Sequence, residues 1–129
     1  MSYLTQALIG FLGLVTQYAP TVKVNVGQLP LRGGLAITLA GNSITETGLG
    51  FEQYITLDII LNGKGKDQKA LLNLLSDLHY RLGKTPFEYP NGEGWNITNI
   101  ASNALPCYLG EEEQYFLYGS SFKVYLTIY

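Results

Sequence analysis

Residues 122–129 alternate without interruption, with Phe122, Val124, Leu126 and Ile128 on one side and Lys123, Tyr125, Thr127 and Tyr129 on the other. A period of two sends successive side chains to opposite faces, which predicts a β-strand buried on one face only. The same rhythm marks Val22, Val24 and Val26, then Leu35, Ile37 and Leu39 after Arg32-Gly33-Gly34. It returns in Ile55, Leu57, Ile59 and Leu61, with Asp58 on the opposite side. Two other stretches carry a helical period. Ser2 is placed to cap a helix over residues 3–18, whose stripe is Leu4, Leu8, Phe11, Leu12 and Val15, with Pro20 just past its end. Gly10 and Gly13 weaken that helix by about 1 kcal/mol each relative to Ala, and are expected to permit close approach to a sheet. Asp67 is placed to cap a second helix striped by Leu71, Leu75, Leu78 and Leu82, with Asn73, Ser76, Asp77, Tyr80 and Arg81 facing away. Gly83 is expected to end it in a left-handed cap, and Pro86 prevents a restart.

Between these elements the pattern loosens. Residues 40–51 are rich in Gly, Thr and Ser yet carry Ile44, Leu49 and Phe51, which suggests an arm packing on a neighbour rather than a solvated loop. Asn62-Gly63-Lys64-Gly65-Lys66 is expected to break the strand before it. Pro90-Asn91-Gly92 predicts a turn, residues 95–100 a strand, and Pro106 restricts the strand beyond them. Glu111-Glu112-Glu113 marks a tip between two further β segments, residues 104–109 and 115–129, the latter bent at Gly119-Ser120-Ser121. No repeat, linker or low-complexity tract is visible. The expected architecture is therefore α+β: a mainly antiparallel β-sheet with two α-helices packed on one face, in a single domain spanning residues 1–129.

Composition narrows the classes of function. A chain of 129 residues suits one domain burying about two-thirds of its unfolded surface. Its formal net charge is −2 and its eight Lys and Arg are scattered except for Lys64, Lys66 and Lys69, so a general nucleic-acid footprint is missing. Charged residues make up 14% of the chain, against about 25% in ordinary soluble domains. Together with ten Tyr, this deficit suits a surface partly buried in an assembly, and suits a merely tyrosine-rich monomer equally well. Cys107 has no disulfide partner and is expected to be a small core hydrophobe in a reducing compartment. The apolar run at residues 7–15 lacks a preceding Lys or Arg and is shorter than the roughly 20 residues of a membrane span, so it is expected to be a buried helix, without a membrane role.

Candidate chemistry is sparse. Gly63-Lys64-Gly65-Lys66 lacks the spacing of a phosphate loop and has Asp67 where a hydroxyl would be required, so its lysines are expected to be solvated, with Lys64 and Lys66 as candidate contacts for an acidic partner. His79 is the single histidine, and neither a nucleophile elbow nor metal-ligand spacing accompanies it, so it is expected to be structural. No pair of carboxylates stands out, and Asn96-Ile97-Thr98 matches a glycosylation acceptor only in spelling. The expectation is a protein that is not an enzyme, with no catalytic, cofactor-binding or metal-binding residues.

The phrase Leu61-Asn62-Gly63-Lys64-Gly65-Lys66-Asp67-Gln68-Lys69-Ala70-Leu71 leading into a leucine-striped helix resembles the central part of minor capsid or tail-terminator proteins of long-tailed siphophages. The segment around Trp95-Asn96-Ile97 and the closing strand resemble that family's later part, so the likeness in segment order covers nearly the whole chain. The resemblance implies a virion protein at the tail neck, assembled in the host cytoplasm, and a homo-oligomeric ring, commonly a hexamer. Such a ring caps the tail tube protein, ends tube polymerisation and offers a docking surface to the head connector. DNA would pass through its lumen without specific binding. Under this reading Ile44, Leu49 and Phe51 are candidates for the subunit interface. Glu111, Glu112 and Glu113 are candidates for the lumen or a ring face. The alternatives are another neck or tail component, such as a head-completion adaptor or tube subunit, and a small ligand-binding domain with a pocket lined by Tyr54, Tyr80, Trp95 and Tyr125.

Overall fold

The alternating segments assemble into one six-stranded sheet in a computed structural model that describes residues 2–47, 52–84 and 89–129. The element order is α1 (Tyr3–Tyr18), β1 (Val24–Val26), β2 (Gly34–Thr47), β3 (Gln53–Gly65), α2 (Gln68–Leu82), β4 (Asn91–Gly92), β5 (Trp95–Glu112) and β6 (Tyr115–Ile128). The strands lie in the order β1-β2-β3-β6-β5-β4, with every neighbouring pair antiparallel except β1 and β2, which run parallel. Two long hairpins, β2–β3 and β5–β6, thus join side by side through β3 and β6. This is the α+β architecture expected from the segment order.

Alternation decides which face receives the helices. Ile55, Leu57, Ile59 and Leu61 of β3 and Phe122, Val124 and Leu126 of β6 share one buried cluster with Phe11 and Val15 of α1 and the four stripe leucines of α2. Phe11 meets Phe122 edge to face, with ring centroids 5.5 Å apart. Each fully buried aliphatic or aromatic side chain contributes about 1.5–3 kcal/mol before entropy is counted. The opposite face is polar: Asp58 and Lys123, cross-strand neighbours on β3 and β6, pair at 3.0 Å. The helix caps are as expected at both N-termini, where Ser2 accepts from the Thr5 amide and Asp67 from the Ala70 amide.

Several expectations change. The burial stripe of α1 shifts toward Ala7, Phe11, Leu14 and Val15, leaving Leu4, Leu8 and Leu12 half-buried. Gly10 lies against Pro90 and Trp95, a contact that a Cβ would bring to 2.7 Å from Pro90, whereas the Cβ position of Gly13 is open. The glycine-rich 62–66 segment does not end β3; its ladder with β6 continues to Gly65, opposite Phe116. β2 runs to Thr47 through most of the supposed arm. β5 is one strand across Pro106, accommodated by four register shifts along its ladder with β6. Gly83 has φ −74°, a right-handed conformation, so helix α2 ends without the left-handed cap. Cys107 is exposed, not a core residue; it follows Pro106 in a part of β5 where register shifts interrupt the inward-outward alternation.

Candidate functional site

The hairpin β5–β6 ends in a two-residue turn at Glu113 and Gln114, both with positive φ, 48° and 73°. Two left-handed residues give the turn a twist matching the flanking strands, although neither residue favours that conformation. The tip carries the acidic run into solvent: Glu111, Glu112 and Glu113 are all exposed. Glu111 accepts a hydrogen bond from the Tyr108 hydroxyl at 3.4 Å. Partial desolvation, and then the adjacent Glu111 carboxylate, hold that phenol above its usual pKa.

The acidic tip and the Gly-Lys phrase, distant in sequence, come together in space. Lys64 is 6% exposed, and its ammonium lies 3.8 Å from Glu112. The expectation that both lysines of this phrase would be solvated therefore fails for Lys64 and holds for Lys66, which is exposed. The cause is the continuation of β3, which carries Lys64 into the sheet in register with Leu117 and Gly34. Both ammonium groups approach the Tyr115 ring, Lys64 at 4.9 Å and Lys66 at 5.3 Å from its centroid.

The flanks of the sheet form the second feature. β1 covers β2 only at residues 35–37, and β4 covers β5 only at Trp95 and Asn96. Among the described residues no strand pairs with the outer edges of the rest of β2 and β5. Neither edge carries a charge over residues 38–45 or 98–110. Natural sheet edges are commonly guarded by charged side chains, and here only Pro106 and the bulges interrupt them. Exposed apolar side chains lie along these strands: Ile44 on β2 is 60% exposed, and Leu105 and Leu109 on β5 are 68% and 59% exposed. Of the predicted interface residues, Ile44 is thus placed on an open strand, while Leu49 and Phe51 lie outside the described residues. Leu105, Tyr108 and Leu109 were missed; the available signal was a run of large apolar residues on both sides of Pro106, too dense for a strand with only one buried face.

His79 is buried in the core beside the leucine stripe. Its Nδ1 and the Ser102 hydroxyl lie 2.8 Å apart, and its ring stacks on Phe122 with centroids 4.0 Å apart. Nε2 is buried without a partner among the described residues, and burial lowers the pKa to about 4. An imidazole sealed in this way packs as a neutral ring. The four aromatic residues of the alternative ligand pocket do not converge. Trp95 is buried against α1, with its indole N–H donating to Gln6 at 2.8 Å, while Tyr80 and Tyr125 are exposed on different elements. Among the described residues no group of three or more His, Cys, Asp or Glu is arranged to hold a metal, and no helix is long and apolar enough to cross a membrane.

Comparison of the chain with protein-family models and with curated proteins finds no match.

Proposed function

We propose that this protein is a structural component of a phage tail neck that forms a ring on the end of the tail tube, stops its polymerisation and presents a docking surface to the head connector. The observation that supports this reading is the pair of uncharged sheet edges at opposite flanks of one sheet that no strand covers among the described residues. Two different edges on one subunit allow a heterologous contact, the free edge of β2 meeting that of β5 on the next copy, and a rotation that closes makes a ring. Backbone hydrogen bonds would supply the affinity, and Ile44, Leu105 and Leu109 the apolar contacts. A hexamer is the subunit number implied by the family likeness. Low overall charge and abundant tyrosine agree with a surface destined for burial.

Termination needs one ring face to complement the tube end and the other to refuse a further tube subunit. Once the first subunit docks, its neighbours bind at high effective concentration, so modest contacts yield a long-lived cap. In this reading the acidic tip at Glu111, Glu112 and Glu113 lies toward the lumen or a ring face, where negative charge keeps passing DNA from adhering.

The test is negative-stain imaging of tail tubes mixed with purified protein. A ring on one tube end, with elongation arrested, is the expected outcome. The variant Leu105→Lys/Leu109→Lys should remain folded, because both residues are exposed, and should lose capping. Tubes that elongate normally in the presence of wild-type protein would refute the proposal.

A further inference from the structure

Half of the chain's eight cationic residues converge on one concavity. Lys23 from the end of the α1–β1 connection, Arg32 from the β1–β2 connection, and Lys64 and Lys66 from the end of β3 line a pocket of about 500 Å³ together with Tyr115. Among the described residues no acidic side chain lines it, and Glu112 at its margin lies 3.8 Å from Lys64. Among the described residues Lys23, Arg32 and Lys66 form no ion pair. Four cationic residues thus line one concavity, with Glu112 at its margin and Asp67 in the adjoining groove as the neighbouring carboxylates, in a chain whose net charge is negative. Like charges held together repel, and the repulsion is relieved when a multiply charged anion enters.

We propose that this pocket binds a phosphate group, with Lys64 as its buried anchor and Arg32, Lys23 and Lys66 as the rim. Lys64 is the distinguishing residue: the sheet buries its stem and the Tyr115 ring lies beside its head, so the ammonium is held in place rather than free in solvent. A carboxylate brings one charge, and Glu112 already supplies one. A phosphate monoester brings about −1.5 to −2 and three acceptor oxygens, which suits several donors converging from different segments. The guanidinium of Arg32 offers paired N–H donors that match two phosphate oxygens. The site lies within one subunit, so it is independent of ring formation and can be tested on its own.

The experiment is calorimetric titration at low ionic strength with inorganic phosphate, adenosine monophosphate, hexaglutamate and a short oligodeoxynucleotide. Saturable binding of phosphate at one site per chain is expected. Equal affinity for the monophosphate would mean that only the phosphate is read, and tighter binding that the adjoining surface also reads the nucleoside. Arg32→Gln/Lys66→Gln changes two exposed side chains and should weaken binding about ten- to hundredfold, the loss of charge-assisted hydrogen bonds. Lys64→Met, checked for folding by circular dichroism, should do the same, while Lys69→Gln, outside the pocket, should bind as wild type. Absence of saturable phosphate binding, equal binding by Arg32→Gln/Lys66→Gln, or binding of hexaglutamate or the oligonucleotide without competition by phosphate would each overturn the assignment.

Discussion

His79 shows what a single buried side chain imposes. Its native pKa of about 4 lies below the ordinary value of 6.5, so the fold requires the neutral ring. Above pH 6.5 this residue contributes no pH dependence. As pH falls from 6.5 toward 4, the unfolded chain takes up a proton that the native ring does not accept, and stability declines across that window by at most about 3 kcal/mol. Urea denaturation at pH 7, 5 and 4 should show this decline, and His79→Leu should remove that step. The β5–β6 turn makes a separate demand, because Glu113 and Gln114 occupy a conformation that favours Asn and Gly. Replacing the pair by Asn-Gly should raise stability by about 1 kcal/mol, read as a higher urea midpoint, with no other contact altered.

At the scale of elements, α1 carries two glycines with opposite roles. Gly10 is pressed against the Pro90 ring, and Gly13 faces open space. Gly13→Ala should therefore stabilise the protein by about 1 kcal/mol, the helix-propensity difference alone. Gly10→Ala should destabilise it by about 1–3 kcal/mol, because the rigid proline ring and the Trp95 indole must move. Thermal melts of the two variants compared with wild type measure both signs in one experiment. The same contrast separates the sheet's strands. β3 and β6 are paired on both sides along most of their length, whereas β2 and β5 each offer one ladder to the protein and the other to the outside.

For the whole molecule, the arrangement of charge is uneven. The acidic tip and the cationic pocket adjoin one another through the contact of Glu112 with Lys64, while residues 38–45 of β2 and 98–110 of β5, on opposite flanks of the sheet, carry no charge. Under the proposed tail-neck reading, with the tip facing a lumen crossed by DNA, reversing its charge should make the passage adhesive. Phage carrying Glu111, Glu112 and Glu113 all replaced by Lys should assemble tails yet eject DNA more slowly, with a rate that recovers as salt is raised. Unaltered ejection kinetics would place the tip on the outside.

The two helices, their N-caps and the buried faces of α2, β3 and β6 were legible in the sequence because each depends on local periodicity: Leu71, Leu75, Leu78 and Leu82 can share a helix face wherever that helix lies, and Phe122, Val124 and Leu126 a strand face. The α+β class came from their order. Pairing, by contrast, has no local signature. β3 continues through a glycine-rich segment because β6 supplies ladder partners up to Phe116, and β5 crosses Pro106 because bulges absorb it. The parallel seat of β1, the burial of Lys64 and the meeting of Lys23 and Arg32 with Lys64 and Lys66 join residues far apart along the chain. Local pattern records which face water meets; only the tertiary structure decides which distant backbone satisfies a strand and which distant charges must share a pocket.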